Sequence, residues 1–179
     1  PGAFAALIQD FKINTLNWRY NTEPNAALNG RKLYNPRGKM LGGSSGMNGM
    51  VYVRGDRSDY DSWKELGNEG WGYDDVLPYF RKAENNERGE DKFHGVGGPL
   101  HVSNGDGSFE FYDAFLSSGR KGDHPANTDF NGEAQEGLGI YQFTVKDGKR
   151  ASVKACYLDP VMGRENLQIE LHARVHRII

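Results

Sequence analysis

The 179-residue sequence is poor in cysteine, in long apolar runs and in recognisable targeting signals. Its single cysteine, Cys156, excludes an intramolecular disulfide framework and a cysteine-rich zinc site. No apolar run approaches the roughly 20 residues that a membrane-spanning helix needs. Residues 1–8 lack the basic segment of a secretory signal peptide. The compartment stays unknown, but a cytoplasmic or peripheral membrane location is favoured over secretion.

Neither sign of charge dominates the sequence. Lys and Arg number 22 against 24 Asp and Glu, which gives a net charge of −2. Nucleic-acid and anionic-membrane binders need a basic surplus, so we expect no nucleic-acid partner. His172 and His176 have a spacing that could bind a metal, but we identify no further ligand to complete a site. His94 and His101 are predicted to be surface or strand residues, and no metal is predicted.

The two ends of the chain are unusual for a complete domain. The sequence begins at Pro1 and ends in the apolar run 175–179, which is typical of a buried strand. Domains commonly end in polar, exposed segments. We therefore expect the chain to be an internal fragment of a longer protein.

Short predicted helices and strands alternate irregularly. Apolar spacing predicts helices over 3–9, 56–66, 76–84, 109–118 and 152–157. Alternation and turn residues predict strands at 100–102, 140–145 and 167–179. Ser58 and Asp61 fit a capping pattern, and Pro78 is expected in the first turn of its helix, where a missing N–H is harmless. The pattern favours an α/β fold, or α+β for an isolated fragment, with the tryptophans mainly in the core.

The segment from Gly38 to Tyr52 carries most of the chemical signal. Its paired glycines, Gly42 and Gly43, allow the backbone to approach a ligand closely because no Cβ intervenes. Backbone and side-chain donors in such a turn could cradle a phosphorylated or electron-rich planar ligand. A plain serine–glycine surface loop has the same composition. Residues 42–46 also fit the Gly-x-Ser-x-Gly nucleophile elbow of serine hydrolases around Ser44, although Pro36 and Gly38 make a poor preceding strand.

The same segment resembles the signature of the glucose–methanol–choline (GMC) family of FAD-dependent oxidoreductases. The matching residues are Gly38, Lys39, Leu41, Gly42, Gly43, Ser44, Ser45, Met47, Asn48, Tyr52, Gly55 and Asp61. Further stretches at 17–24, 70–84, 93–100, 129–132, 150–152 and 166–167 extend the resemblance over nearly the whole chain. Within the family, the sequence is most similar to the branch of choline and bacterial alcohol dehydrogenases.

The resemblance implies a set of cofactor-binding residues. They are Gly42, Gly43, Ser44, Ser45, Asn48, Gly49, Met50 and Val51 around the flavin, and Val175 at the adenine. Some family members attach FAD covalently through a histidine directly before the signature asparagine. Met47 occupies that position here, so non-covalent FAD is expected.

The resemblance also implies a domain organisation. Residues 1–98 would form the rear part of an FAD-binding α/β domain, residues 99–163 part of an antiparallel-sheet substrate domain, and residues 164–179 a return to the FAD-binding domain. The family's Gly-x-Gly-x-x-Gly motif and its catalytic histidine have no counterpart in the chain. We therefore expect no catalytic residue in this chain.

The activity that the resemblance implies is oxidation of a small alcohol by hydride transfer to the flavin. An electron acceptor such as oxygen or a quinone would then reoxidise the flavin. Alone, the chain would have little or no activity. Two alternatives stay open: a truncated flavoprotein piece with a folding or interaction role only, and the remote hydrolase that uses Ser44.

Overall fold

The computed structural model describes residues 16–179. Its strands are β1 (Tyr20–Asn21), β2 (Tyr34–Asn35), β3 (Val51–Tyr52), β4 (Glu84–Asn86), β5 (Leu100–Asn104), β6 (Gln142–Phe143), β7 (Val145–Lys146) and β8 (Lys149–Arg150). Its α-helices are α1 (Arg57–Glu65), α2 (Tyr73–Ala83) and α3 (Glu110–Lys121). Helices and mixed sheets together confirm the predicted α/β class, and the helix predicted at 3–9 lies outside the described residues.

A four-stranded mixed sheet organises the molecule, in the order β3-β6-β5-β4. β6 pairs antiparallel with β3 and with β5, while β5 and β4 run parallel. β1 and β2 form one separate antiparallel pair, and β7 and β8 form another. β3 is the last part of the signature segment, so the sheet places the signature beside residues about 90 positions later in the chain.

Helix α1 begins at a capping box, but not at the predicted residues. Asp56 is the N-cap, and its carboxylate accepts the Ser58 N–H at 2.9 Å. Asp59 completes the box by accepting the Asp56 N–H at 2.9 Å. The predicted capping pair of Ser58 and Asp61 does not form, and Asp61 instead accepts the N–H of Tyr73 at 2.9 Å. Asp61 therefore joins α1 to the start of α2.

Helix α2 begins earlier than predicted. Its N-cap is Gly72, whose N–H donates to Asp75 Oδ2 at 3.2 Å, so the helix starts at Tyr73 rather than Val76. Pro78 consequently lies inside the helix and not in its first turn. Its missing N–H leaves the carbonyl of Asp74, four residues earlier, without an intrahelical donor.

The remaining predictions are partly confirmed. Helix α3 and strand β5 form where they were predicted, and the predicted helix at 152–157 appears as a π-helical turn at Lys154–Leu158 with a 3-10 turn at Asp159–Val161. The predicted strand at 167–179 is wrong, because residues 168–179 form no strand or helix. Trp63 and Trp71 were predicted to lie in the core, but they are 45% and 54% exposed.

The interior of the described part is unusually polar. The buried hydrophobic residues there are Met47, Tyr73, Val102 and Ala151. More polar or charged residues than hydrophobic ones are buried, namely Asn17, Arg54, Glu84, Asn86, His94, Asn131 and Gln142. Buried polar groups must be paired to be tolerated, so hydrogen bonds and ion pairs determine much of this packing.

Candidate functional site

The signature segment folds into a tight turn that closes on itself. Gly42 and Gly43 have φ angles of 85° and 55°, in the left-handed region that glycine adopts without strain. A 3-10 turn follows at Gly43–Gly46. Gly38 packs directly against this turn, because a Cβ there would lie only 2.3 Å from the carbonyl oxygen of Gly43. The closing bond is donated by the Gly38 N–H to Ser44 Oγ at 3.1 Å.

Asn48 and Met50 form the exit of the turn into β3. Asn48 is exposed, and its Oδ1 accepts the Met50 N–H at 3.2 Å. Met50 has a φ of 63°, a left-handed conformation that is uncommon for a residue with a side chain. The carbonyl of Met50 accepts the Thr144 N–H at 2.8 Å, which helps to hold this conformation from outside the segment. Such conformations concentrate at functional sites.

Strand β8 and the residues after it brace the turn from the opposite side. Nη1 of Arg150 lies 3.3 Å from the carbonyl oxygen of Ser45, 2.7 Å from that of Asn48 and 2.7 Å from Asn48 Oδ1. The N–H of Val153 donates to Ser45 Oγ at 2.9 Å. The resemblance includes Arg150 but implied no role for it, and no local sequence pattern reveals a contact between segments more than 100 residues apart.

A buried network of four charged residues lies next to β3. Glu84 Oε1 accepts Nη2 of Arg54 at 2.9 Å and the N–H of Gly95 at 2.9 Å, and it lies 3.1 Å from His94 Nδ1. Nε2 of His94 lies 2.8 Å from Asp129 Oδ2. His94 and Glu84 are fully buried, so the prediction that His94 lies on the surface or in a strand is wrong.

Two carboxylates favour a positive charge on His94. Each ring nitrogen lies within hydrogen-bonding distance of a carboxylate oxygen, and the protonated ring can donate to both, while Nδ1 also lies 3.0 Å from the amide nitrogen of Asn86. Burial alone would lower the pKa of His94, but hydrogen bonds with Asp129 and Glu84 raise it to about 9. Burial would raise the pKa of the Glu84 carboxyl, yet its bond with His94 and the charge of Arg54 lower it. Arg54 and protonated His94 therefore balance Glu84 and Asp129, and Arg88 Nη1 adds a positive charge 3.9 Å from Asp129 Oδ1.

The network is connected to the signature strand through an asparagine. The Asn131 side chain accepts the Arg54 N–H at 2.8 Å and donates to the carbonyl of Tyr52 at 3.0 Å. The Asn131 N–H in turn donates to Asp129 at 3.0 Å. Burial raises the pKa of the Tyr52 phenol to about 12, which keeps it neutral. The charged residues thus fix the backbone just beyond the predicted flavin contacts.

The structure brings most of the predicted cofactor residues together, since residues 42–51 form one continuous turn and strand. Val175 lies apart from them in the irregular C-terminal segment and is 80% exposed. Its neighbour Arg174 lies 5.9 Å from the ring of Trp18, and Lys39 of the signature lies 4.8 Å from the same ring. The C-terminal segment therefore passes the beginning of the signature.

The described part of the chain gives no support for a metal site, for a serine nucleophile or for a membrane-spanning helix. Residues 16–179 contain no cluster of three or more His, Cys, Asp or Glu side chains that could hold a metal ion. The hydroxyl of Ser44 is engaged by the Gly38 N–H, and a turn rather than a strand precedes it. No helix among these residues has the length and apolar character that crossing a membrane requires.

Comparison with known proteins identifies the family. The model of the family described as GMC oxidoreductase matches residues 7–179. The chain belongs to the GMC oxidoreductase family. This confirms the resemblance of the signature segment, and FAD is the cofactor of this family.

Similar proteins include choline dehydrogenases and GMC oxidases. Mitochondrial choline dehydrogenase of Mus musculus is 45% identical over 98% of this chain and 29% of its own length. Oxygen-dependent choline dehydrogenase of Sinorhizobium fredii is 44% identical over 92% of this chain and 30% of its own. The crystal structure of pyridoxine 4-oxidase from Mesorbium loti superposes with a TM-score of 0.79 and 32% identity, covering 92% of this chain and 33% of that one. The chain thus spans about three tenths of the length of these choline dehydrogenases.

The turn fits the flavin of a GMC oxidoreductase. Gly43 leaves open space where a side chain would start, so a planar group can approach the backbone there. Asn48 lies on the exposed side of the turn with hydrogen-bonding capacity to spare. Met47, at the position where a covalent histidine would stand, is buried and faces the protein interior.

Proposed function

We propose that this chain forms the part of an FAD-dependent alcohol oxidoreductase that supports one side of the flavin, and that the enzyme is similar to choline dehydrogenase. The observation that carries the proposal is the turn over residues 42–51, which has the family signature and an exposed donor, Asn48. The identity of 45% with a choline dehydrogenase supports a small alcohol as substrate.

The proposed organisation follows the sequence prediction. Residues 1–98 belong to the FAD-binding domain, residues 99–163 to the substrate domain, and residues 164–179 return to the first. Bound FAD would supply the redox chemistry, namely hydride uptake from the alcohol carbon and later transfer of the electrons to an acceptor such as oxygen or a quinone. The residues of this chain bind and orient the cofactor, while the catalytic base lies elsewhere in the enzyme.

The cofactor contacts that we propose are those implied by the resemblance to the family. Gly42 and Gly43 allow close approach of the backbone, and Ser44, Ser45 and Asn48 contribute polar groups. Gly49, Met50 and Val51 line the exit of the turn, and Val175 lies near the adenine. Binding is non-covalent, because Met47 cannot form the histidyl link.

The test measures FAD binding and flavin reduction in the full-length enzyme of which, on this proposal, the chain is a part. Purified apoprotein titrated with FAD should quench flavin fluorescence with saturation. Anaerobic addition of choline, or of another small primary alcohol, should bleach the visible absorbance of the bound flavin. An apoprotein that folds but does not bind FAD would refute the proposal, and binding without bleaching by any alcohol would refute its substrate class.

Two matched glycine variants test whether FAD binds at the turn. Gly38→Ala puts a Cβ 2.3 Å from the Gly43 carbonyl oxygen and must open the turn, so we expect FAD affinity to fall at least about tenfold. Gly163→Ala meets nothing within 4 Å and should leave affinity unchanged. Equal affinity of the two variants would show that FAD binds elsewhere.

A further inference from the structure

The orientation of the Asn48 side chain is determined by two donors. The Met50 N–H lies 3.2 Å from one atom of its amide, and Nη1 of Arg150 lies 2.7 Å from the same atom. Both partners can only donate, because a backbone N–H and a guanidinium have no acceptor. The atom that they share must therefore be the amide oxygen.

This assignment directs the nitrogen of the amide away from the protein. Within residues 16–179, Nδ2 of Asn48 makes no hydrogen bond, and the residue is exposed. An amide whose oxygen is held by two donors presents its two N–H groups on the opposite side. Asn48 is thus prepared to donate to an acceptor atom of a bound ligand.

Arg150 is not held by an opposite charge. In the described part of the chain, no carboxylate lies within ion-pair distance of its guanidinium, and burial lowers the pKa of Arg150. Its position comes instead from the backbone, where the adjacent Ala151 N–H donates to the Thr144 carbonyl at 3.0 Å. Because Arg150 has no carboxylate partner in that part of the chain, its guanidinium donates instead to the carbonyl oxygens of Ser45 and Asn48.

We propose that Arg150 is a positioning residue for the flavin: by holding Asn48 Oδ1, it makes Asn48 donate Nδ2–H to an acceptor atom of FAD. Without Arg150, only the longer contact from the Met50 N–H holds the amide oxygen, so the amide can rotate and turn its oxygen toward the acceptor atom of the flavin. This inference rests on the proposed function, since it assigns a role within the same site.

The test is a double-mutant cycle on FAD affinity in the full-length apoprotein. Losing one hydrogen bond is worth about tenfold in affinity, so Arg150→Met and Asn48→Ala should each weaken FAD binding about 5- to 20-fold. Because Arg150 acts through Asn48, the double variant should be no weaker than Asn48→Ala alone. Lys149→Met, on the same strand and exposed, is the control and should bind FAD normally.

A second variant separates positioning from simple structural support. Asn48→Asp keeps an acceptor for Arg150 and Met50 and should preserve thermal stability of the apoprotein, but it has no N–H to donate. We expect its FAD affinity to fall as far as that of Asn48→Ala. Arg150→Lys can still donate to Oδ1 and should recover most of the affinity that Arg150→Met loses.

The outcomes distinguish this inference from the proposed function. A wild-type apoprotein that does not bind FAD refutes the proposed function. If the wild type binds FAD, normal affinity of Asn48→Asp or of Arg150→Met refutes the positioning role. Fully additive losses in the double variant also refute it, because Arg150 would then act without Asn48.

Discussion

His94 is the residue on which the buried charges converge. It lies between two carboxylates, Glu84 and Asp129, and Arg54 supplies the second positive charge. Removing one member of a buried ion pair leaves an unpaired charge, which is far more costly than losing an exposed pair. The network therefore makes the signature strand sensitive to the protonation of one imidazole.

We predict that this imidazole makes stability depend on alkaline pH. The pKa of His94 is about 9 in the folded protein and about 6.5 in the unfolded chain, so its contribution is complete below pH 6.5 and is lost as pH rises through 9. The stability lost over this pH range is on the order of a few kcal/mol. Urea unfolding at a series of pH values from 6 to about 9.5 measures it.

Two histidine variants test this prediction: one replaces the buried His94, and the other, the control, replaces the exposed His124. His94→Gln should be less stable at pH 6 and should lose less stability than the wild type between pH 6.5 and 9. His124→Gln, in an exposed loop, should follow the wild-type pH profile. A wild-type profile that stays flat up to pH 9 would contradict the charge assigned to His94.

At the scale of elements, helix α2 contains a residue, Pro78, that destabilises the helix. Pro78 lies inside the helix, where proline is about 3 kcal/mol less favourable than alanine, partly offset because proline restricts the unfolded chain. Pro78→Ala should therefore stabilise the protein by about 1–2 kcal/mol. Thermal unfolding should show this as a Tm higher by about 2–8 °C.

The matched control lies in a second proline-containing turn. Pro160 occupies the start of the 3-10 turn Asp159–Val161, where no helical hydrogen bond requires its N–H. Pro160→Ala should give no increase in Tm. A Tm for Pro78→Ala that does not exceed that of the wild type would show that the helix already accommodates the proline.

Local sequence signals predicted elements better than they predicted boundaries. Helix α3 and strand β5 were found from apolar spacing alone, whereas the cap of α1 was assigned to Ser58 with Asp61 instead of Asp56 with Asp59. Both pairs fit a capping pattern, and the contact of Asp61 with Tyr73 is not visible in the local sequence. The strand predicted at 167–179 failed because apolar alternation indicates a buried face, and residues 171–179 are exposed.

At the scale of the whole molecule, the chain exposes much more surface than its mass requires. Its accessible area is 13164 Å² for 20.0 kDa, whereas a compact monomer of that mass exposes roughly 8,700 Å². Part of the excess is apolar, including Phe109, Phe111 and Phe115 on or beside α3. The rings of Phe109 and Phe111 lie 5.3 Å apart, and exposed apolar clusters promote association.

We predict that the 179-residue chain, purified by itself, binds the hydrophobic dye ANS and associates as its concentration rises. Fluorescence titration and sedimentation velocity measure the two effects. The full-length enzyme, at equal molar concentration, is the control and should bind less dye. A chain that remains monomeric and does not enhance ANS fluorescence would contradict the prediction.

The family and the turn could be predicted from the sequence, but the contacts that hold the site could not. The signature is contiguous, so residues 42–51 were identified together. Arg150, His94 and Asp129 come from separate segments that resemble the family, but the resemblance implied no role for any of them. Their roles depend on which strands pair, and β3 pairs with β6 across about 90 residues.

The distance along the chain between Arg150 and Asn48 has a consequence for biosynthesis. The two residues are 102 positions apart, and a ribosome adds roughly 5–20 residues per second. Arg150 is therefore synthesised on the order of 5–20 s after Asn48. Closing so long a loop also slows folding after synthesis. The turn therefore gains its contacts with Arg150 only after the β7–β8 hairpin has been synthesised and has folded back onto it.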